Sequence, residues 1–261
     1  MGEPAELDVD QAGGAIVTYV HERLRQAILR CELGPGTAIS QVQVAKDLGI
    51  SRTPLREVLR LLEREGLVES QHNHRFRVSG FSLDDLVEVY ASRIMLETLA
   101  TRQSMRSMSL VVLDQLRQAL GGMTESAEDG EYEAWQAHHR RFHAVLNGNG
   151  GARLTESLER LADYADRYRR IYGASAPLAW RAGLRQHEWI VEAAARFDGE
   201  ETSIRVASHL ASAAARLVRS VDPSHDLGLI EQALQACHVP WPEGTVGPSS
   251  NGSAASRSRA R

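Results

Sequence analysis

The chain has 261 residues, 43% of them hydrophobic, which suffices for one large domain or two modest ones. Two distant cysteines, Cys31 and Cys237, exclude a disulfide framework, no apolar run approaches a membrane span, and the acidic start MGEPAELDVD resembles no signal peptide, so a cytoplasmic protein is expected. The net charge of −4 is uneven: residues 15–80 hold 10 basic and 7 acidic side chains, whereas residues 81–222 hold 17 and 20, so the positive sign sits where a nucleic acid could dock.

In chain order, residues 1–14 read as a flexible arm. Ile16, Val20, Leu24 and Ile28 follow helical spacing and mark a first helix to about Leu33, ended by Gly34-Pro35-Gly36. The stretch AKDLGISRTPLREVLRLLEREGL, from Ala45 to Leu67, then has the order a helix-turn-helix requires. Ala45 is small where two helices cross, Gly49 makes the sharp turn, and Leu55 plugs the second helix onto the first. Thr53 can cap that second helix and Pro54 suits its first turn. Leu55, Val58, Leu59 and Leu62 form its buried stripe.

Arg52, Arg56, Arg60 and Arg64 recur every fourth residue on another face of the same helix. The ordinary alternative is a solvated face on which Glu57 and Glu63 pair with these arginines, and it suits Arg60 and Arg64. Arg52 and Arg56, beside Ser51 and Thr53, stand at the helix start, where base edges come nearest in a major groove. After Gly66 the period changes. Leu67–Ser70 and Phe76–Val78 read as two short strands around a polar tip, a wing. There His72, His74, Arg75 and Arg77 either meet phosphates and a minor groove or simply form a polar tip. This first domain spans 15–80.

Beyond it no strand is predicted. Ser82 and Asp85 make a capping box that opens a helix carrying Leu86, Val89, Tyr90, Arg93, Leu96 and Glu97. Further helical runs cover about 109–120, 130–147, 152–172, 177–197 and 200–220, separated by glycine-rich breaks. Residues 81–222 therefore form an antiparallel all-helical bundle. The extension 223–261 adds an amphipathic piece near 226–237 and reads as disordered after about 241. The fold class is mainly α, a winged helix-turn-helix followed by a helical bundle.

Four histidines in the bundle attract attention. His139 and His143 in HHRRFH share one helix face, with Trp135, Phe142 and Leu146 suggesting burial; His138 lies about 100° away and is expected to be exposed. His187 and His209 lie on two later helices among apolar or small neighbours. Imidazoles from three helices converging in a bundle suit a divalent ion, Zn first, with Ni or Mn as alternatives. The plain alternative is four hydrogen-bonded core or surface histidines. Lys46 is the only lysine, so no phosphate loop of the GxxxxGK type exists, and GxSxG and HExxH are absent too. A metal-dependent enzyme with an accessory DNA-binding domain has only Glu188, beside His187, as an obvious base.

The run PGTAISQVQVAKDLGISRTPLREVLRLLEREGLV resembles the winged helix-turn-helix of the GntR family of bacterial transcription regulators. SLDDLVEVYASRIMLE, RRFH and the spacing of His187 and His209 resemble the FCD effector domain of its FadR subfamily. The resemblance implies DNA contacts from Ser51, Arg52, Thr53, Arg56 and the wing-tip His74, with Lys46 and Arg75 at the same face. It implies a divalent metal on His139, His143, His187 and His209, and an organic or sugar acid effector whose carboxylate meets Arg93. It further implies homodimers that bind a palindromic operator and usually repress nearby genes; ligand binding is expected to relieve repression, and a regulator for which the metal is itself the signal is the alternative. Three positions depart from the family pattern. His139 stands where a carboxylate or amide is usual, Arg75 where glycine is usual at the wing, and Gln41 where glutamate is frequent.

Overall fold

The computed structural model describes residues 9–71, 75–173 and 181–242. The chain divides between Phe81 and Ser82 into two units.

The first unit opens with α1 (Val9–Leu29), which takes up the last residues of the expected arm. Its Val20, Leu24 and Ile28 are buried, while Ile16 stays 41% exposed. They pack against α3 (Arg52–Arg64), whose Leu55, Val58, Leu59 and Leu62 are wholly buried. Between them lie a two-residue strand β1 (Ala38–Ile39) and α2 (Gln41–Leu48). Ser40 caps α2 by accepting from the Gln43 amide at 3.3 Å, and Gly49 ends it at φ 65°, the left-handed turn that only glycine adopts cheaply. The cap of α3 differs from expectation. Arg52 is its first residue and Ser51 its N-cap, so Thr53 lies inside the first turn.

The wing is formed by β2 (Val68–Gln71) and β3 (Arg75–Val78), antiparallel, with Val68 opposite Val78 and Gln71 opposite Arg75. β1 pairs on the other side of β3, giving the order β1-β3-β2. Val68, Phe76 and Val78 point inward, which leaves Arg75 and Arg77 on the solvent face, as strand alternation demands.

The second unit is built on α4 (Leu83–Met105), which Ser82 opens by accepting from the Asp85 amide. The Asp85 carboxylate does not return to close a capping box; it accepts from the Tyr168 hydroxyl. Most of the circumference of α4 is buried, because α9 (Gly199–Val221), α7 (Ala152–Tyr168) and α10 (Gly228–Ala236) all pack on it. α5 (Leu110–Asp129) and α6 (Tyr132–Asn147) pair beside it, and α8 (Leu184–Ala195) lies against α5 and α9.

Three expectations are corrected here. The predicted break at Gly121-Gly122 does not occur, and α5 runs through it. A Cβ at Gly122 would stand 2.5 Å from the His138 ring, so glycine is retained there for close packing of α5 on α6. His138 is accordingly half-buried, not exposed. Second, the helix expected over 152–172 changes after Tyr168 into a π-helical turn, Arg169–Gly173. Third, α10 belongs to the helical unit: Leu227, Ile230, Ala233 and Leu234 are buried, and the helix packs on α4, so the bundle passes the expected limit at 222. The expected tail beyond Pro242 lies outside the described residues.

Candidate functional site

On the first unit, Arg52, Arg56 and Arg75 line one shallow groove with Ala38, Ser40, Gln41 and Val42. Arg52 and Arg56 project from the first turns of α3, and Arg75 projects from the start of β3, so helix and wing contribute to the same basic surface. Arg56 donates through Nε to Gln41 Oε1 at 3.2 Å, and Arg77 donates to the Gly36 carbonyl at 2.7 Å. The alternative of a face neutralised by Glu57 and Glu63 is not what forms. Among the described residues Arg52, Arg60 and Arg64 make no ion pair, and Glu63 accepts from the Ser70 amide instead. Ser51 and Thr53 are exposed at the N-terminus of α3, where free amides and the helix dipole favour a phosphate. Lys46 is exposed on the last turn of α2. His74 lies outside the described residues.

In the second unit the four histidines converge. His139 and His143 come from α6, His187 from α8 and His209 from α9, and their donor nitrogens all lie within 4.8 Å of one another. All four are buried. The ring centroids of His187 and His209 stand 4.2 Å apart, and those of His139 and His143 stand 4.7 Å apart. Trp135 stacks on His139 at 4.8 Å and Phe142 meets the His187 ring edge-on at 5.0 Å, which fixes both rings by packing.

The outer nitrogens are held by polar partners. His143 Nδ1 lies 2.9 Å from Glu97 Oε2, His187 Nδ1 lies 2.8 Å from the Gly183 carbonyl, and His209 Nδ1 lies 3.1 Å from Gln186 Oε1. All three partners are acceptors, so each Nδ1 carries the proton and each Nε2 offers a lone pair. The Nε2 atoms of His143 and His187, with Nδ1 of His139, are buried and have no hydrogen-bond partner among the described residues. Burial, reinforced by nearby Arg169, Arg216 and the other imidazoles, presses His139 and His209 well below the ordinary histidine value and His187 to about 3. Neutral imidazoles with unused lone pairs and oriented outer nitrogens are the donor set a divalent metal requires.

Glu97 anchors this arrangement. Burial pushes its carboxyl up, but Arg93, His143 and Asn147 outweigh burial and hold it at about 2. Arg93 Nε donates to Glu97 Oε1 at 2.7 Å, and its buried Nη1 has no partner among the described residues. A cavity opens beside the cluster, lined by Arg93, Arg169 and Arg216, by Tyr132 and Tyr172, and by Leu210 and Leu217. Its volume is about 80 Å³, where one water needs roughly 10–15 Å³, so a small organic molecule fits.

Sequence reading placed Arg93 and the four histidines together but missed Glu97, Gln186, Arg169 and Arg216. Two signals were available. Glu97 follows Arg93 by four residues on one helix, and Arg216 follows His209 by seven, again on one face. Glu188, the base considered for an enzyme, pairs with Arg185 at 3.2 Å on the surface and does not enter the cluster.

Profiles of two domains match the chain: bacterial regulatory proteins, gntR family, over residues 17–78, and the FCD domain over residues 88–212. A regulator from the TAR-I ttuE-ttuC' intergenic region of Agrobacterium vitis is 30% identical over 55% of this chain and 89% of its own length. The probable D-xylose utilization operon transcriptional repressor of Paenarthrobacter nicotinovorans is 27% identical over 85% of this chain and 94% of its own. Among solved structures, E. coli McbR/YncC superposes with a TM-score of 0.68 at 21% identity, covering 79% of this chain and 98% of that one, a likeness of fold. The two units thus define a transcription regulator with a DNA-binding and an effector-binding domain. The chain belongs to the GntR family, with an FCD domain, and the enzyme alternative falls away. Among the described residues no helix is long and apolar enough to cross a membrane.

Proposed function

We propose that this regulator is a repressor whose helical domain holds a divalent metal on His139, His143, His187 and His209 and binds a small carboxylate metabolite beside it. The observation that carries the reading is the convergence of four buried imidazoles: Nε2 of His143 and His187 and Nδ1 of His139 have no partner among the described residues, and Nδ1 of His143, His187 and His209 is tied to Glu97, Gly183 and Gln186. An all-nitrogen set favours zinc, with nickel or manganese as alternatives. When bound, such an ion supplies a Lewis-acidic site for a carboxylate oxygen. Arg93 orients that carboxylate through its free Nη1, while Trp135 and Phe142 keep the imidazoles in place.

On the DNA side, Arg52 and Arg56 read base edges. Ser51, Thr53, Lys46, His74 and Arg75 position the domain on phosphates or in the adjoining minor groove. A homodimer would present two such faces to a palindromic operator, one helical turn apart. The acid relieves repression only by binding more tightly to the form of the protein that binds DNA less well, because equal affinity for both shifts nothing.

Fluorescence anisotropy of the full chain on its own promoter DNA tests this, with zinc and a panel of organic and sugar acids. An acid that weakens operator binding only when zinc is present supports the reading. Operator affinity that follows zinc alone would make the metal itself the signal, and indifference to both would reject the proposal.

A further inference from the structure

The cavity holds more positive charge than one carboxylate can answer. Arg93 is matched by Glu97 at 2.7 Å, and Arg169 is matched by Asp166, which also accepts from Arg140. Arg216 lines the same cavity, and among the described residues it makes no hydrogen bond or ion pair. Burial holds its pKa below the ordinary arginine value, as for a cation taken from water without a counter-charge, though it stays protonated. With Glu97 set against Arg93 and Asp166 shared between Arg169 and Arg140, Arg216 is left as a positive charge without a carboxylate among the described residues, and a divalent ion would add two more charges. His139 in the fourth corner brings no negative charge to offset them.

The position of Arg216 is as telling as its charge. Two turns beyond His209 on α9, it extends back toward the imidazoles. A Cβ placed on Gly183 would stand 3.6 Å from His209 Cε1 and 3.7 Å from both His187 Cε1 and Arg216 Nη2. The guanidinium and the cluster therefore face one another across a gap that Gly183 keeps clear. Leu210, Ala213 and Leu217 form an apolar wall along it, suited to a short carbon skeleton.

We propose that the effector is a small dicarboxylate, one carboxyl group lying at the imidazole cluster and the other on the Arg216 guanidinium. The proposal rests on the metal-and-acid reading of the chamber and narrows it. A monocarboxylate leaves the half-buried Arg216 without a counter-charge, whereas a second carboxylate forms a charge-assisted, two-pronged hydrogen bond. The chamber selects by charge count, and the gap at Gly183 limits length.

Calorimetry on zinc-loaded full-length protein tests this with pairs matched in skeleton, succinate against butyrate and malonate against propionate, with zinc content measured on every sample. One diacid should bind at least about tenfold more tightly than its monoacid, the size expected for a charge-assisted hydrogen bond. Arg216→Ala should abolish that preference with zinc content unchanged, and Arg216→Lys should keep part of it. Gly183→Ala, which narrows the gap, should weaken the diacid alone. Zinc-loaded wild type that binds both members of each pair equally overturns the proposal and leaves the metal reading intact. Inorganic phosphate binding more tightly than either diacid also overturns it, because one compact dianion then suffices. Wild type that takes up no zinc overturns the metal reading and this proposal with it.

Discussion

Both units of this regulator concentrate arginine, and they treat its charge in opposite ways. In the winged unit Arg52, Arg56 and Arg75 are exposed around one groove, and among the described residues no carboxylate pairs with them. In the helical unit Arg93 and Arg169 are wrapped by Glu97, Asp166 and Tyr90, and Arg216 shares their cavity. The difference fits the partner proposed for each surface. A polyanion as large as duplex DNA is read from outside, through many contacts weakened by salt. A small acid must be taken out of water, so its counter-charges are few and fixed beforehand, where a low dielectric strengthens each.

Acid should separate the units most strongly. Burial holds His139, His187 and His209 neutral in the fold, whereas the unfolded chain takes up protons near the ordinary histidine value of 6.5. The unfolded state binds more protons below that pH, so metal-free protein should lose stability as pH falls from about 6.5 toward about 3, the value His187 reaches. Melting followed by Tyr and Trp fluorescence should show the helical unit failing first, and His187→Ala should flatten the slope. A melting temperature level across that window would break the comparison.

On the DNA side, Arg52→Ala should cost about 1–3 kcal/mol at a matched operator and little on random DNA. A gel-shift series showing equal losses on both would reject base reading by this residue. Within the chamber, Glu97→Gln keeps the shape but removes the charge that orients His143 and balances Arg93. Zinc affinity should fall about 10–100-fold, as when an outer partner of a ligating histidine is lost. Unchanged affinity would mean that Glu97 serves only Arg93. Gly122→Ala, whose methyl meets the His138 ring, should act on stability alone. Melting should drop by the equivalent of about 1–3 kcal/mol, with operator affinity untouched.

Legibility in the sequence divides along the same boundary. The recognition helix was readable because turn glycine, apolar plug and arginine row all fall within 23 residues, and local spacing fixes their faces. The pair His139 and His143 was readable for the same reason. The two-residue strand β1 was not, since nothing local marks a segment whose only claim to strand geometry is its partner, β3. Gly121-Gly122 misled, because glycine chosen for a close helix contact looks like glycine chosen for a break. The link from Glu97 to His143 joins α4 to α6 across 46 positions, and only the rotation of two packed helices settles it. Arg216 shared a face with His209 in the sequence; that no described carboxylate pairs with it emerged only from the packed cavity.

The claim on which the rest depends is that the four buried imidazoles form one metal site inside the regulatory domain. Zinc content of full-length protein, purified without chelator and then titrated with zinc, tests it directly for wild type and His187→Ala. The account predicts one ion per wild-type chain and close to none in the variant. A wild type that neither carries nor takes up metal, or a variant that holds as much as wild type, would contradict it.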